Sequence, residues 1–394
     1  MKKSILTINV GSSSIKFAVF SAQPKLSRQA CLNGEIEGIG SATARLNLRY
    51  DGDKRAPWQQ VLGKQLSHAA AFELLLKQLE AHAADCGELV AVGHRVVHGG
   101  TKYLAATRIN AEVLLDLKAF STLAPLHQPY NLAGITKLSE HLPQAIPIAC
   151  FDTAFHHTQT PLAQQFALPR KLSAAGIKRY GFHGLSYEYI AHVLPSYTPR
   201  AEQRVIVAHL GNGASLCALQ KRRSQASSMG FSALDGLMMG TRCGALDPGV
   251  LLYLMQQKGI SADALSHLLY QESGLLGVSG ISQDVRTLLA SSAAEAAEAI
   301  DLFCYQANRH IGALAAEIGG LDVLVFTGGI GEHASEIRRR ICLSAHWLGL
   351  SLDAEANDRD ERRISQHDSR VEALVIATDE EWMIAHHSYA LCLF

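Results

Sequence analysis

The chain carries no net charge: Lys plus Arg number 36 and Asp plus Glu number 36 among 394 residues. That balance leaves no electrostatic footprint for nucleic acid or for an anionic membrane surface. The basic run Arg338-Arg339-Arg340 reads as a solvated helix face. No window approaches the ~18 consecutive apolar residues of a spanning helix, so no membrane helix is expected. The start, MKKSILTINVG, opens like a signal segment. Its apolar stretch breaks at Thr7 and Asn9, and no small-residue cleavage site follows. The eight cysteines form no Cys-x-x-Cys pair, which predicts reduced, buried thiols rather than a disulfide framework. These absences predict a soluble, cytoplasmic protein. With 48% hydrophobic and 18% charged residues, the chain can bury large cores in two domains or one duplicated domain.

What is present is a repeat. ILTINVGSSSIKFAV (5–19) returns in pattern as VIVAHLGNGASLCAL (205–219). Each copy is an apolar β-type run, a polar residue (Asn9 or His209), a glycine turn and a second apolar run. Gly11 aligns with Gly211 and Ala18 with Ala218. Two such hairpins suggest a duplicated nucleotide-binding half, although β-hairpins are common and the pair alone does not decide it. Small residues at the turns let backbone N–H groups approach an anion.

Helices are predicted over 67–84 with Ser67 as N-cap, and over 110–119, 130–142, 183–194, 249–258 and 261–271. The longest candidate is 291–318, read as packing between domains. Buried strands are predicted at 89–97, 146–151, 321–327 and 371–377, and residues 31–50 alternate like antiparallel strand. The result is an α/β architecture, with a domain boundary after residue 150.

Two familiar phosphate signatures are missing. Gly328-Gly329-Ile330-Gly331-Glu332 lacks the Gly-x-Gly-x-x-Gly spacing of a dinucleotide fold, and no Walker loop occurs. Phosphate binding therefore falls to the hairpin loops, with a purine near 328–332. Arg95 in HRVVHGG and Arg242 in MGTRCG both flank glycines. Guanidinium forks suit the planar oxygens of a carboxylate and a phosphoryl group. Either arginine alone reads better as a salt-bridge partner. His127, His183 and His209 lie near predicted strand ends, without metal-ligand spacing. Each alone is ordinarily a packing residue, but together they point to a cleft. His156-His157 and His386-His387 read as incidental surface pairs. Asn9, Asp152 and Glu380 fit the few-ligand, water-rich style of magnesium, although helix N-capping explains the two carboxylates as well.

Taken together, INVGSSSIKF, GHRVVHGG, APLHQP, FDTAFH, YGFHGLS, HLGNGAS, SMGFSALDGLMMGTRCGALDPG, SGLLGVSG, FTGGIGE and TDEE resemble the acetate and propionate kinase family, in its order and over nearly the whole chain. That family belongs to the sugar-kinase, heat-shock-chaperone and actin superfamily. The resemblance implies a duplicated ribonuclease-H-like, actin-like ATPase fold with two domains around a nucleotide cleft. Domain I would be 1–150 plus about 379–394, and domain II 151–378. It implies a homodimer, and ATP-driven phosphorylation of acetate to acetyl phosphate. ATP and ADP would be substrates and Mg2+ (or Mn2+) the metal, with no nucleic-acid or membrane partner.

By the same resemblance, Asn9 and Glu380 would be linked to the metal, and Ser12 and Lys16 would face ATP phosphate. Asp152, His183, Arg242 and Arg95 would be catalytic. Arg95, Val97, Leu126, His127 and Ala233 would bind the substrate, with Arg95 on the carboxylate and Val97 and Leu126 forming the pocket for the acyl methyl. His209, Leu210, Gly211, Asn212, Gly213, Asp284, Val285, Arg286, Gly328, Gly329, Ile330, Gly331 and Glu332 would line the ATP site.

The chain departs from the family at Ala226-Ser227-Ser228, Ala233, Ala245 and His333. Ala233 stands where a proline ring usually helps close the acyl pocket, which makes room for about one methylene, worth ~0.8 kcal/mol. Propionate is the alternative substrate on this ground. A non-enzymatic actin-like or chaperone-like module is disfavoured: it needs no paired arginines, and the length leaves no peptide-binding domain. A dehydrogenase is disfavoured by the glycine spacing.

Overall fold

The computed structural model describes residues 2–50, 58–63 and 66–392. The chain divides into two units: Met1–Ala154 with Asp379–Phe394, and Phe155–Thr378. Of the C-terminal stretch read as returning to domain I, residues 393 and 394 lie outside the described residues.

The first unit is built on an eight-stranded sheet. Its strands are β1 (Lys3–Val10), β2 (Ser14–Ser21), β3 (Ala30–Glu37), β4 (Ala44–Tyr50), β5 (Trp58–Gly63), β6 (Glu88–Val96), β7 (Thr107–Arg108) and β8 (Ile146–Phe151). Their order is β5-β4-β3-β2-β1-β6-β8-β7. The second unit has β9 (Val205–Leu210), β10 (Ala214–Gln220), β11 (Arg223–Ser227), β12 (Val323–Thr327) and β13 (Glu372–Val375), in the order β11-β10-β9-β12-β13.

The duplication lies in these orders. In the first sheet, β1 runs antiparallel to β2, β2 to β3, and parallel to β6, which is parallel to β8. In the second, β9 runs antiparallel to β10, β10 to β11, and parallel to β12, which is parallel to β13. One five-strand pattern thus occurs twice, as in the ribonuclease-H-like fold. The first copy is extended by β4 and β5 at one edge and β7 at the other. Strands β9 and β12 are buried throughout, as continuous apolar runs covered on both faces require.

Caps set the helix ends. The Ser67 hydroxyl accepts the Ala70 N–H at 3.2 Å and starts the helix His68–Ala81, a cap worth ~1 kcal/mol. Asn110 and Ser261 likewise cap the helices Ala111–Ala119 and Ala262–Gln271. The helix Gly184–Val193 follows His183, whose backbone is left-handed at φ 56°.

Three sequence readings need correction. The 24-residue helix Ala294–Glu317 packs within the second unit, against β9, β10 and β11, rather than between domains. The first unit runs past residue 150 to Ala154. Phe151 still pairs with Val96, and the Asp152 N–H donates to the Val96 carbonyl at 3.1 Å, so Asp152 belongs to the first unit. The run Arg338-Arg339-Arg340 is not a solvated face throughout, because Arg338 is fully buried. Among the described residues the eight cysteines form no disulfide, and no helix is long and apolar enough to cross a membrane.

Candidate active site

In the first unit, parity on β6 decides what faces what. A Cβ on Gly93 would lie 2.5 Å from Ile384 Cγ2 and 2.4 Å from Ser388 Oγ, so the helix Glu380–Cys392 presses on that face. Arg95, two residues on, points to the same side and meets the start of this helix. His94 points to the other face, where burial pushes its imidazole down to about 3.

Arg95 is the centre of a charged trio. Its Nε and Nη2 donate to Asp152 Oδ1 and Oδ2 at 2.9 and 2.7 Å, and its Nη1 lies 3.5 Å from Glu380 Oε2. Burial alone would lower the guanidinium, but the charges of Asp152 and Glu380 hold it above its ordinary value. Asp152 therefore serves as a fork partner of Arg95. At the C-terminal helix it is Asp379, the residue before Glu380, that accepts a first-turn amide, the Trp382 N–H at 2.9 Å.

Asn9 faces Lys16 across the first hairpin, and Lys16 forms an exposed ion pair with Glu35 at 3.5 Å. Ser12 is exposed in the turn. Val97 is buried, while Leu126 and His127 are half-buried just before the helix Gln128–His141.

The loop after Arg95 is pinned by residues the sequence reading missed. Asn131 Oδ1 accepts the Val97 N–H at 3.0 Å, Gln128 Oε1 the His98 N–H at 3.3 Å, and Thr153 Oγ1 the Gly99 N–H at 3.1 Å. Asn131 Nδ2 also donates to the Val10 carbonyl at 2.9 Å, tying this loop to β1. The i,i+3 spacing of two amides in HQPYN was the available signal.

In the second unit, His183 and His209 stack with centroids 4.4 Å apart. The Nδ1 of His183 bonds Ser215 Oγ at 2.8 Å, and the Nδ1 of His209 bonds Ser186 Oγ at 2.8 Å. A Cβ on Gly213 would lie 3.4 Å from His183 Nε2 and 3.8 Å from Arg242 Nη1, so the glycine turn is flanked by both. The Arg242 loop reaches this turn because residue 240 is glycine: a Cβ there would stand 1.9 Å from Asn212 Oδ1. Arg242 Nη1 donates to the Ala233 carbonyl at 3.0 Å.

Beside this cluster is a cavity of about 570 Å³, lined by Gly211, Asn212, Gln283, Asp284, Val285, Arg286, Gly329, Ile330, His333 and Ala334. Its volume and the glycine backbones on its wall suit a nucleoside. Asp284 holds Arg286 at 2.7 Å and caps the helix Val285–Leu289.

Of the residues expected at an ATP site, Gly211, Asn212, Asp284, Val285, Arg286, Gly329 and Ile330 edge this cavity, and His209 stacks on His183. Glu332 Oε1 turns onto backbone, accepting the Gly328 N–H at 2.8 Å and the Thr378 N–H at 3.2 Å. Gln283 and Ala334 were missed, and His333 had been noted only as a departure.

His156 is buried, not a surface residue. Its Nε2 bonds the Phe182 carbonyl and its Nδ1 the Ser224 hydroxyl, both at 2.9 Å, so it props the turn that carries His183. Burial pushes it down to about 4, against the Phe182 bond. The folded state thus prefers neutral His156. This stability is whole above about pH 6.5 and is lost as pH falls toward 4, at ~1.4 kcal/mol per pH unit inside that window. The thermal midpoint should fall through this range, and His156→Gln should flatten the slope. An unchanged slope would contradict the assignment.

The chain matches the Acetokinase family over residues 4–386. It is 52% identical to an acetate kinase of Rhodopseudomonas palustris (strain TIE-1), over 99% of each chain. A solved propionate kinase from Francisella tularensis is 35% identical with a TM-score of 0.89, covering 98% of this chain and 99% of that one. The acetate kinase of Porphyromonas gingivalis is 34% identical with a TM-score of 0.84, covering 99% of each. Full-length sequence identity and shared architecture agree, and the chain belongs to the acetokinase family.

Proposed function

We infer that the chain is a carboxylate kinase, which transfers the γ-phosphoryl group of ATP reversibly to acetate to give acetyl phosphate and ADP. The observation that carries this reading is 52% identity to an acetate kinase over 99% of the chain. An ADP-release assay tests it: release should depend on added acetate, and acetate-independent release alone would contradict it.

The residue roles are part of the proposal. Arg95 holds the acceptor carboxylate, and Val97, Leu126, His127 and Ala233 are the other residues assigned to this substrate. A carboxylate is already ionised at neutral pH, so the reaction needs no general base to activate it. Asp152 therefore acts by orienting Arg95, in keeping with their two hydrogen bonds of 2.9 and 2.7 Å. His183 and Arg242 stabilise charge on the transferring phosphoryl group. The cavity edged by Gly211 and Gly329 takes the nucleoside, with Ser12 and Lys16 toward phosphate.

Mg2+, or Mn2+, fits as an ion carried by the nucleotide. One amide and two carboxylates, Asn9, Asp152 and Glu380, are oxygen donors of the kind magnesium takes, few in number beside its waters and phosphates. Asn9, Asp152 and Glu380 would face its hydration shell. When bound, it would neutralise phosphate charge. A cytoplasmic homodimer completes the reading.

Asp152→Asn tests the orienting role. It would set an amide N–H₂ against the guanidinium and break the fork. We expect kcat to fall about 10- to 100-fold at saturating magnesium, the size of one charge-assisted hydrogen bond. A near-normal kcat would show that its charge is not needed.

Propionate remains the second reading, favoured by Ala233 and by likeness to a propionate kinase. The Ala233 carbonyl anchors Arg242, and proline retains that carbonyl. Ala233→Pro should therefore lower the propionate-to-acetate ratio of kcat/KM, by up to about fourfold for one methylene. An unchanged ratio would refute the pocket argument.

A further inference from the structure

Among the described residues Arg338 is the largest fully buried side chain, and none of the proposed catalytic roles falls to it. It lies in the helix Ser335–Ser344. A buried guanidinium is tolerated only when its donors are met. Here Nη1 donates to the carbonyls of Gly331 and Glu332 at 3.0 and 2.8 Å. Nε donates to Asn357 Oδ1 and Nη2 to the Asn357 carbonyl, both at 2.9 Å, and Nη2 also pairs with the half-exposed Asp360. Asn357 Nδ2 in turn bonds the Ser335 carbonyl at 2.9 Å.

The two Nη1 acceptors are the point of interest. They are carbonyls near the end of the one-and-a-half-turn helix Gly328–His333, which has few internal bonds of its own. Gly329, Ile330, His333 and Ala334, from this helix and the residue after it, form one wall of the 570 Å³ cavity. Arg338 thus clamps that wall from behind, with Asn357 and Asp360 fixing the clamp.

We propose that Arg338 is a positioning residue for the nucleotide: it sets the shape of the Gly329–Ala334 wall without touching the ligand. This rests on the reading of that cavity as the nucleoside site. A lysine at 338 keeps the charge but has a single donor point, so it cannot span both sets of acceptors. Arg338→Lys should raise KM for ATP, and the Kd of ADP measured by calorimetry, about tenfold, equivalent to ~1.4 kcal/mol, while KM for acetate does not move. Asp360→Asn should act in the same direction by about threefold, the scale of a half-exposed ion pair, and decides the matter if the lysine variant does not fold.

A merely structural role would lower the thermal midpoint and the folded fraction but leave KM for ATP unchanged in both variants. That result would overturn the proposal while leaving the kinase reading intact. A wild-type protein that forms acetyl phosphate but binds no ADP in this cavity, tested by protection of the 328–334 amides from deuterium exchange, would overturn both the cavity reading and the proposal.

Discussion

Arg95→Ala should lower kcat with acetate about 10²- to 10³-fold, the scale seen when one preorganised donor is removed from a reacting centre. The reasoning starts from the fork. Asp152 accepts from Nε and Nη2, and Glu380 lies 3.5 Å from Nη1. The guanidinium is thereby fixed in orientation before any ligand arrives, so its remaining hydrogen-bonding capacity is aimed rather than searched for. KM for acetate should rise together with the fall in kcat, since the same group holds the carboxylate and offsets its charge. Removing the cation also leaves two carboxylates facing each other, so circular dichroism must show a folded variant. Arg95→Lys should recover little, because an ammonium cannot form the planar fork. A loss of less than about tenfold in the folded alanine variant would mean that the trio is structural.

Arg242→Ala should cost more in kcat than in KM for acetate. Arg242 is anchored at one end by the Ala233 carbonyl and stands beside the Gly213 turn and His183. A guanidinium in that place offsets charge that grows in the transition state, an effect worth 10³ or more in related phosphoryl transfers, so we expect a loss of about 10³-fold. Steady-state kinetics with both substrates varied will separate the terms. Equal changes in kcat and in KM for acetate would instead indicate ground-state binding.

How far these sites were legible in the sequence depends on the kind of contact. The hairpins were legible because glycine turns and continuous apolar runs are local, and both fall where the 5–19 and 205–219 repeat put them. Arg95 and Arg242 were legible as charged residues beside glycines. Their partners were less so. The fork from Asp152 joins residues 57 apart, and nothing local to FDTAFH separates a fork partner from a helix cap. Gln128, Asn131 and Thr153 act by accepting backbone N–H groups of a distant loop, a job that leaves almost no mark on composition.

Arg338 was misread for a different reason. A basic triplet suggests solvent, but position 338 shares the helical stripe of Ile337, Ile341 and Cys342, all buried. The phase of the helix, not the residue type, carried the information. At Glu332 the sequence shows an acid in a glycine loop, while the bond its carboxylate accepts from the Thr378 amide, 46 residues on, leaves no local mark.

The most direct test of the account is trapping the product. With ATP, Mg2+ and hydroxylamine, the wild-type protein should yield acyl hydroxamate from acetate, and some from propionate, with Arg95→Ala and Arg242→Ala nearly silent. ATP turnover that gives no hydroxamate from any short-chain acid would contradict it.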